Sequence, residues 1–318
     1  MAKKLKIVKL QAGFGNQMFQ YAFGKALEHK LGTKVLFDKS GYDELQKQIV
    51  GNTGKNADGI CIRKYTLGIF NLDIDFATPE QVKECIGEEK TVKSKVPGEI
   101  RKIFKLPKYK EITNRIREKS DFIYDETLFK DYKKAYYEGY FQNEKYFKDI
   151  EPFIRKSFIL PEIRQDDDYN KALFDKVCSA ENSVFIHVRR DDYLTLNWEI
   201  GNDYYKQAAK YIAERIENPK FFVFCAEDEN YIKNDFDLGF PFELIGEKNK
   251  TDTTYYENMR LMMACKHSII ANSSYSWWAA WLGEHKDKIV IAPTPWLLEK
   301  DDIICDNWIK INRKGKYE

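Results

Sequence analysis

Histidine is scarce in this chain, with four in 318 residues, and the six cysteines (Cys61, Cys85, Cys178, Cys225, Cys265 and Cys305) form no CxxC pair. That argues against a zinc site and against a disulfide framework, and suits a reduced compartment. No run of 18 apolar residues occurs, and the opening MAKKLKIVKL is interrupted by lysines. Neither a membrane span nor a signal-peptide core is therefore readable. A cytoplasmic protein with at most peripheral membrane association is expected. An excess of one charge is also missing: 52 Lys and Arg against 50 Asp and Glu leave a net charge of +2. Nothing suggests a nucleic-acid partner, and any basic site must be local. There is no Walker lysine motif, which speaks against an ATPase. Internal repeats and low-complexity tracts are absent as well.

What is present is an alternation of short apolar runs and helical stripes. Leu5–Leu10 is a strand candidate that leads into GFGNQMFQYAFGKALEHKLG. Met18, Phe19, Ala22, Phe23, Ala26 and Leu27 give one apolar helical stripe. Gly13 and Gly15 are read as the turn, Asn16 as the helix cap and Gly32 as its end, before a strand at Lys34–Phe37. The third glycine of a dinucleotide fingerprint is replaced by Met18, so that signal is weak. A glycine turn beside Asn16 and Gln17 could instead let a substrate approach the backbone. Gly51–Gly59 is a polar loop, and the lysine-rich stretch punctuated by Pro97 and Pro107 a solvated face. Ala135–Phe141 reads as an aromatic strand, with Tyr140 and Phe141 weak candidates for a sugar platform.

Pro152 to about Ala180 reads as the crossing into a second domain, and after it the pattern is regular. Strands are expected at Ser183–Val188, Phe221–Cys225, Phe242–Ile245, Ser268–Ala271 and, as the last, Lys288–Ala292. Helices are expected at Tyr204–Ile216, Tyr255–Cys265 and Ser274–Leu282. Such alternation predicts parallel α/β sheets, with a domain at 1–160 and a second at 161–318.

The charged end of SVFIHVRRDD is the first candidate site. His187, Arg189, Arg190 and Asp192 would emerge from a buried strand where open α/β sheets bind ligands. Adjacent guanidiniums suit phosphate oxygens. Asn272, Ser273, Ser274 and Ser276 form the second, at a strand end and helix start that suit an anion. Glu227 and Asp228 follow a third strand and suit ribose or base groups. Trp277, Trp278 and Trp281 read as core. Asp191 and Asp192 are more readily neutralised by the arginines than joined as metal ligands.

These segments, in this order, resemble glycosyltransferase family 11, the bacterial α-1,2-fucosyltransferases. The resemblance rests on GFGNQMFQYA at 13–22, HVRRDDY at 187–193, FCAEDENYIK at 224–233 and ENMRLMMACKHSIIANSSYSWWAAWLG at 257–283. It implies a GT-B-like fold of two Rossmann-like domains facing a cleft. It also implies inverting transfer of fucose from GDP-fucose to the 2-hydroxyl of a terminal galactose on an acceptor glycan, with no metal or other cofactor required. By the same match, His187 lies near guanine or ribose. Arg189 and Arg190 hold the diphosphate, with Ser273, Ser274 and Ser276 on its helix side. The chain departs from the family pattern at Asp191, Ala226 and Asn258. An aspartate at 258 would accept from two guanine N–H groups, so Glu257 could take over from Asn258. Asp192, Glu199 and His187 are the candidates for an acceptor base. A transferase of another linkage such as α-1,6, or a non-catalytic nucleotide-sugar-binding protein, is the alternative.

Overall fold

The computed structural model describes residues 4–47, 62–87, 90–93, 109–225, 228–245, 254–297 and 302–316, without the side chains of 90–93, 109–112, 191, 192 and 254. The polar loop at 51–59, most of the lysine-rich stretch, Ala226 and Glu227 lie outside the described residues. The first half runs β1 (Leu5–Lys9), α1 (Phe14–Leu31), β2 (Val35–Asp38), α2 (Ser40–Gln46), α3 (Pro79–Ile86), β3 (Lys90–Lys93), β4 (Tyr109–Ile112), β5 (Arg115–Arg117), β6 (Lys134–Glu138), α4 (Glu151–Ser157) and α5 (Asp168–Ser179). The second half runs β7 (Ser183–His187), α6 (Asp191–Thr195), α7 (Asn202–Ala213), β8 (Lys220–Phe224), α8 (Glu229–Asn234), β9 (Phe242–Ile245), α9 (Thr254–Ala264), β10 (His267–Ile269), α10 (Ser274–Leu282), β11 (Val290–Thr294) and β12 (Ile309–Asn312).

Two parallel sheets result, as the alternation of strands and helices requires. The first has the order β2-β1-β6-β5 and the second β12-β11-β10-β7-β8-β9. This is the expected GT-B-like pairing of two Rossmann-like α/β units. In each sheet the chain grows outward from one strand and later returns to that strand's other side. The reversal falls between β1 and β6 in the first sheet and between β7 and β10 in the second. Such reversals open a crevice at the carboxyl ends of the strands, where ligands bind.

Helix α1 is more deeply buried than its apolar stripe suggests. Almost every residue from Phe14 to Leu27 is buried. The reason is a second neighbour: α1 packs on its own sheet and also against α10. Phe19 lies 4.6 Å from Trp277 and 4.8 Å from Trp278, ring to ring. Trp278 Nε1 donates to the Gly15 carbonyl at 3.0 Å. One apolar core therefore continues from Val8 and Tyr137 through α1 to Phe185, Met259 and Trp277. The tryptophans are core, as read. At roughly 25 cal/mol per Å2 of buried apolar area, residues of this size dominate the adhesion between the halves.

Some boundaries differ from expectation. Asn16 does not cap α1; Gly13 does, because the helix begins at Phe14. The strand expected to Phe141 stops at Glu138, since Phe141 adopts a left-handed backbone at φ 53° and leaves the ladder. Phe141 is fully buried and stacks on Phe23, with centroids 3.9 Å apart, so it offers no platform to a sugar. The strand at 290–294 is not the last: β12 adds a parallel edge strand beside it.

Candidate functional site

The second reversal gathers the charged strand end. All five residues of β7 are buried, because the strand sits between β10 and β8 with helices on both faces. His187 closes it, paired in register with Phe224. The imidazole is buried, and Nδ1 has no hydrogen-bond partner among the described residues. Burial, with a smaller contribution from the Arg189 charge, depresses its pKa to about 3. The ring is neutral at ordinary pH and too weakly basic for the role of acceptor base.

Arg190 is set by the next strand rather than by its neighbours alone. Its Nε donates to Asp228 Oδ2 at 2.8 Å, and its guanidinium lies 3.6 Å above the Tyr231 ring. Asp228 also caps α8, accepting from the Tyr231 N–H at 3.0 Å. Those two interactions, the backbone bond first and Arg190 second, hold the Asp228 carboxyl below its usual range. The expectation that Asp228 serves ribose or base groups meets a carboxylate already committed to a cap and an arginine. The clamp fixes one edge of the guanidinium and leaves the terminal nitrogens to meet an anion. Arg189 lies 4.9 Å from the Tyr193 ring. The Tyr193 hydroxyl donates to the Asn272 carbonyl at 3.0 Å, which ties the arginine strand to the serine strand. Asp191 and Asp192 open the short helix α6, and their side chains lie outside the described residues.

The serine segment is only partly as expected. Ser273 is the N-cap residue of α10, yet its side chain makes no capping bond. Among the described residues no side chain caps the first N–H groups of the helix, which suits an anion there. Ser274 begins the helix and is half-buried. Ser276 is fully buried and bonds to the carbonyls of Ala271 and Ser273, both at 3.3 Å, so it serves the helix turn rather than a ligand. Asn272 is buried and donates to the Trp198 carbonyl at 3.0 Å.

Opposite α10, the first turn of α1 arrives by direct backbone contact. A Cβ on Gly15 would stand 2.6 Å from the Ser274 carbonyl carbon, so only glycine permits the approach. Gly13 has open space around it, and α1 too lacks a side-chain cap. Two helix N-termini therefore converge, each with partial positive charge. His187 belongs to the same corner, 5.6 Å from the Tyr275 ring. Asn16 is half-buried, and its Oδ1 accepts from Gln142 Nε2 at 2.7 Å. Gln17 is not available to a ligand. Its amide donates to the carbonyls of Ala12 and Lys64 and accepts from Thr66, and the residue is fully buried.

Two expected nucleotide contacts lie on α9, whose first turn reaches Tyr275 through the Tyr255 carbonyl. Glu257 is buried against Arg260, with Oε2 to Nε at 2.8 Å, which removes it as a substitute base-binding acid. Asn258 is half-buried on α9 and makes no hydrogen bond among the described residues. Glu199 has a buried Oε2 without a hydrogen-bond partner among the described residues, within reach of the Arg313 charge. Sequence reasoning missed Tyr193, Tyr231, Tyr275 and Gln142. Tyr193, Tyr231 and Tyr275 lie inside the motifs singled out, but nothing in their spacing marked their roles; Tyr231 and Gln142 meet partners 41 and 126 residues away. Among the described residues no cluster of three or more His, Cys, Asp or Glu could hold a metal ion, and no helix is long and apolar enough to cross a membrane.

The family model for Glycosyl transferase family 11 matches residues 88–312. An Escherichia coli alpha-1,2-colitosyltransferase is 32% identical over 96% of this chain and 99% of its own length. The E. coli O-antigen biosynthesis glycosyltransferase WbnK is 28% identical over 95% and 99%. Among solved structures, fucosyltransferase NodZ from Bradyrhizobium aligns over 88% of this chain and 94% of its own, at 15% identity and a TM-score of 0.45. E. coli ADP-heptose lps heptosyltransferase II aligns over 96% and 90%, at 11% identity and a TM-score of 0.41.

Proposed function

The chain belongs to glycosyl transferase family 11, and we propose that it transfers L-fucose from GDP-fucose, with inversion and without a metal, to the 2-hydroxyl of a terminal galactose. The observation that carries this reading is the pair Arg189 and clamped Arg190 at the end of β7, next to the strand β10 that leads into the start of α10, where two helix N-termini without a side-chain cap among the described residues touch. In the reaction the bond from fucose C1 to the β-phosphate oxygen breaks. The acceptor oxygen bonds to C1 from the opposite face, and the acceptor hydroxyl loses its proton. Negative charge grows on the leaving diphosphate. Preset cations and N–H groups stabilise that charge without reorganising, which is commonly the largest single contribution to catalysis. Arg190 suits the task because Asp228 and Tyr231 already hold its orientation.

The 32%-identical colitosyltransferase favours a second reading, transfer of colitose, the 3-deoxy form of fucose. Neither the arginines nor the helix ends discriminate at that hydroxyl. The test is GDP release from GDP-fucose and from GDP-colitose in EDTA, with and without lactose and a panel of β-galactosides, for the wild type and Arg190→Ala. Acceptor-dependent release from GDP-fucose, lost in the variant, with an α-1,2 linkage in the product, supports the proposal. Release from GDP-colitose alone transfers the reading to the second donor. Absence of acceptor-dependent release from either donor, with GDP still binding, overturns both.

A further inference from the structure

The first sheet has its own reversal, between β1 and β6, and the function described so far does not use it. The chain leaves β6 through Gly139, Tyr140, Phe141 and Gln142, beside the turn that leaves β1 for α1. A carboxylate from the neighbouring strand holds this exit. Glu118, just past β5, accepts from the Tyr140 N–H at 2.7 Å and from the Phe141 N–H at 3.0 and 3.1 Å. It reaches them because residue 139 is glycine. A Cβ there would stand 2.6 Å from Glu118 Cβ and 2.7 Å from its Oε2. The bonds stabilise a left-handed backbone at Phe141, a conformation that costs a non-glycine residue on the order of 1 kcal/mol or more. With Phe141 turned this way, Gln142 points at α1, and its Nε2 meets Asn16 Oδ1 at 2.7 Å. Gln20 ties the two turns together, accepting from the Gln11 N–H at 2.9 Å and donating to the Gly139 carbonyl at 3.0 Å.

The Gln142 bond decides how the Asn16 amide lies. An amide whose oxygen accepts presents its two N–H donors elsewhere. Asn16 Nδ2 has no acceptor among the described residues, and Asn16 adjoins Gly15, the residue packed on the start of α10. We propose that Glu118 is a positioning residue for sugar transfer: it locks the 139–142 turn so that Gln142 orients the Asn16 amide toward the reacting groups. This rests on the transferase reading above. Burial lifts the Glu118 carboxyl to about 8 against the pull of the two backbone bonds, with Asp121 and Asp125 adding repulsion. Among the described residues, Tyr140 and Tyr146 also feel its charge. A neutral acid can keep one strong acceptor oxygen for the turn, so glutamine is the conservative replacement.

The experiment compares wild type with Glu118→Ala, Glu118→Gln and Gln142→Ala, each as the full chain. Amide exchange and the side-chain amide resonances of Asn16 are read by NMR on the free protein. GDP affinity is read by calorimetry, and transfer by product formation. Glu118→Ala should speed exchange at Tyr140 and Phe141, shift the Asn16 resonances and lower kcat with acceptor about 10-fold or more, with GDP affinity within 2-fold of wild type. Gln142→Ala should reproduce the Asn16 shift and the kcat loss without the faster exchange. Glu118→Gln should restore most of the rate and remove any limb of the rate profile near pH 8. A wild-type kcat in Gln142→Ala, or GDP affinity falling in parallel with rate in Glu118→Ala, overturns the proposal. Should no donor and acceptor pair react in the wild type, the transferase reading fails by itself. Unmoved Asn16 resonances would then overturn the present proposal independently of turnover.

Discussion

The two strand-order reversals solve different problems with different chemistry. At the end of β7 the second sheet is cationic: Arg189 and Arg190 leave the strand there, beside the strand that leads into α10, and aromatic rings and a carboxylate set their geometry. Between β1 and β6 the crevice is built from amides and a half-buried carboxyl: Gln20 and Glu118 bond the backbone of residues 139–141, and Gln142 bonds Asn16. A diphosphate needs concentrated positive charge. A neutral hydroxylated partner needs donors and acceptors at fixed angles. The difference teaches that one topology, used twice, leaves the side chains at the strand ends to choose the ligand.

The comparison can be broken most forcefully at Arg190. Arg190→Ala should lower the single-turnover transfer rate about 10²- to 10³-fold, in line with losing a preset electrostatic donor. An intact rate would mean that the second crevice is not the leaving-group side. Gly15→Ala comes next. Its methyl would press on the Ser274 backbone, costing about 1–3 kcal/mol as overpacking does. Calorimetric melting should show a lower Tm with weakened GDP binding. Glu118→Gln sharpens the contrast through pH. The folded carboxyl titrates near 8 against about 4.3 when unfolded, so the folded wild type binds the extra proton between those values. Wild-type stability should therefore decline as pH rises from about 4.5 to 8, and the glutamine variant should lack that decline. Unfolding free energies from urea titrations across the range should differ by roughly 1–3 kcal/mol, discounted from the full linkage because solvent reaches part of the site. Gly13→Ala should do least. Open space surrounds that position, and the exchange at an N-cap should cost well under about 1 kcal/mol. A melt as damaged as that of Gly15→Ala would mean that the turn, not the helix crossing, is the constrained element.

The second crevice was far more legible in the sequence than the first. Ser183–Asp192 and 267–283 each carry an apolar strand, a polar exit and a helix start in one continuous stretch, so local pattern was enough. The strands at 242–245 and the helix at 274–282 match expectation to the residue. Even here polar identity misled where a helix buried the side chain. Gln17 and Ser276 have the composition of ligand contacts, yet both satisfy backbone groups in the interior. The first crevice joins Glu118 to residues 22 and 23 positions away and Asn16 to Gln142 across 126. No periodicity encodes such pairings. β5 is three residues with arginine at both ends, and β12 alternates apolar and polar over four, too short to declare themselves against a charged background. Asp228 shows the intermediate case: its place at a helix start was readable, while its partner Arg190 is fixed only by the pairing of β7 with β8.

The contact of Gly15 with Ser274 also has a mechanical meaning. It is a backbone-to-backbone touch, with Trp278 bonded to the same glycine and Phe19 wedged beside it. A swing of one half against the other that preserves this touch has it as its fulcrum. Points near a fulcrum travel little and points far from it travel most. The two helix ends would hold their spacing through such a swing.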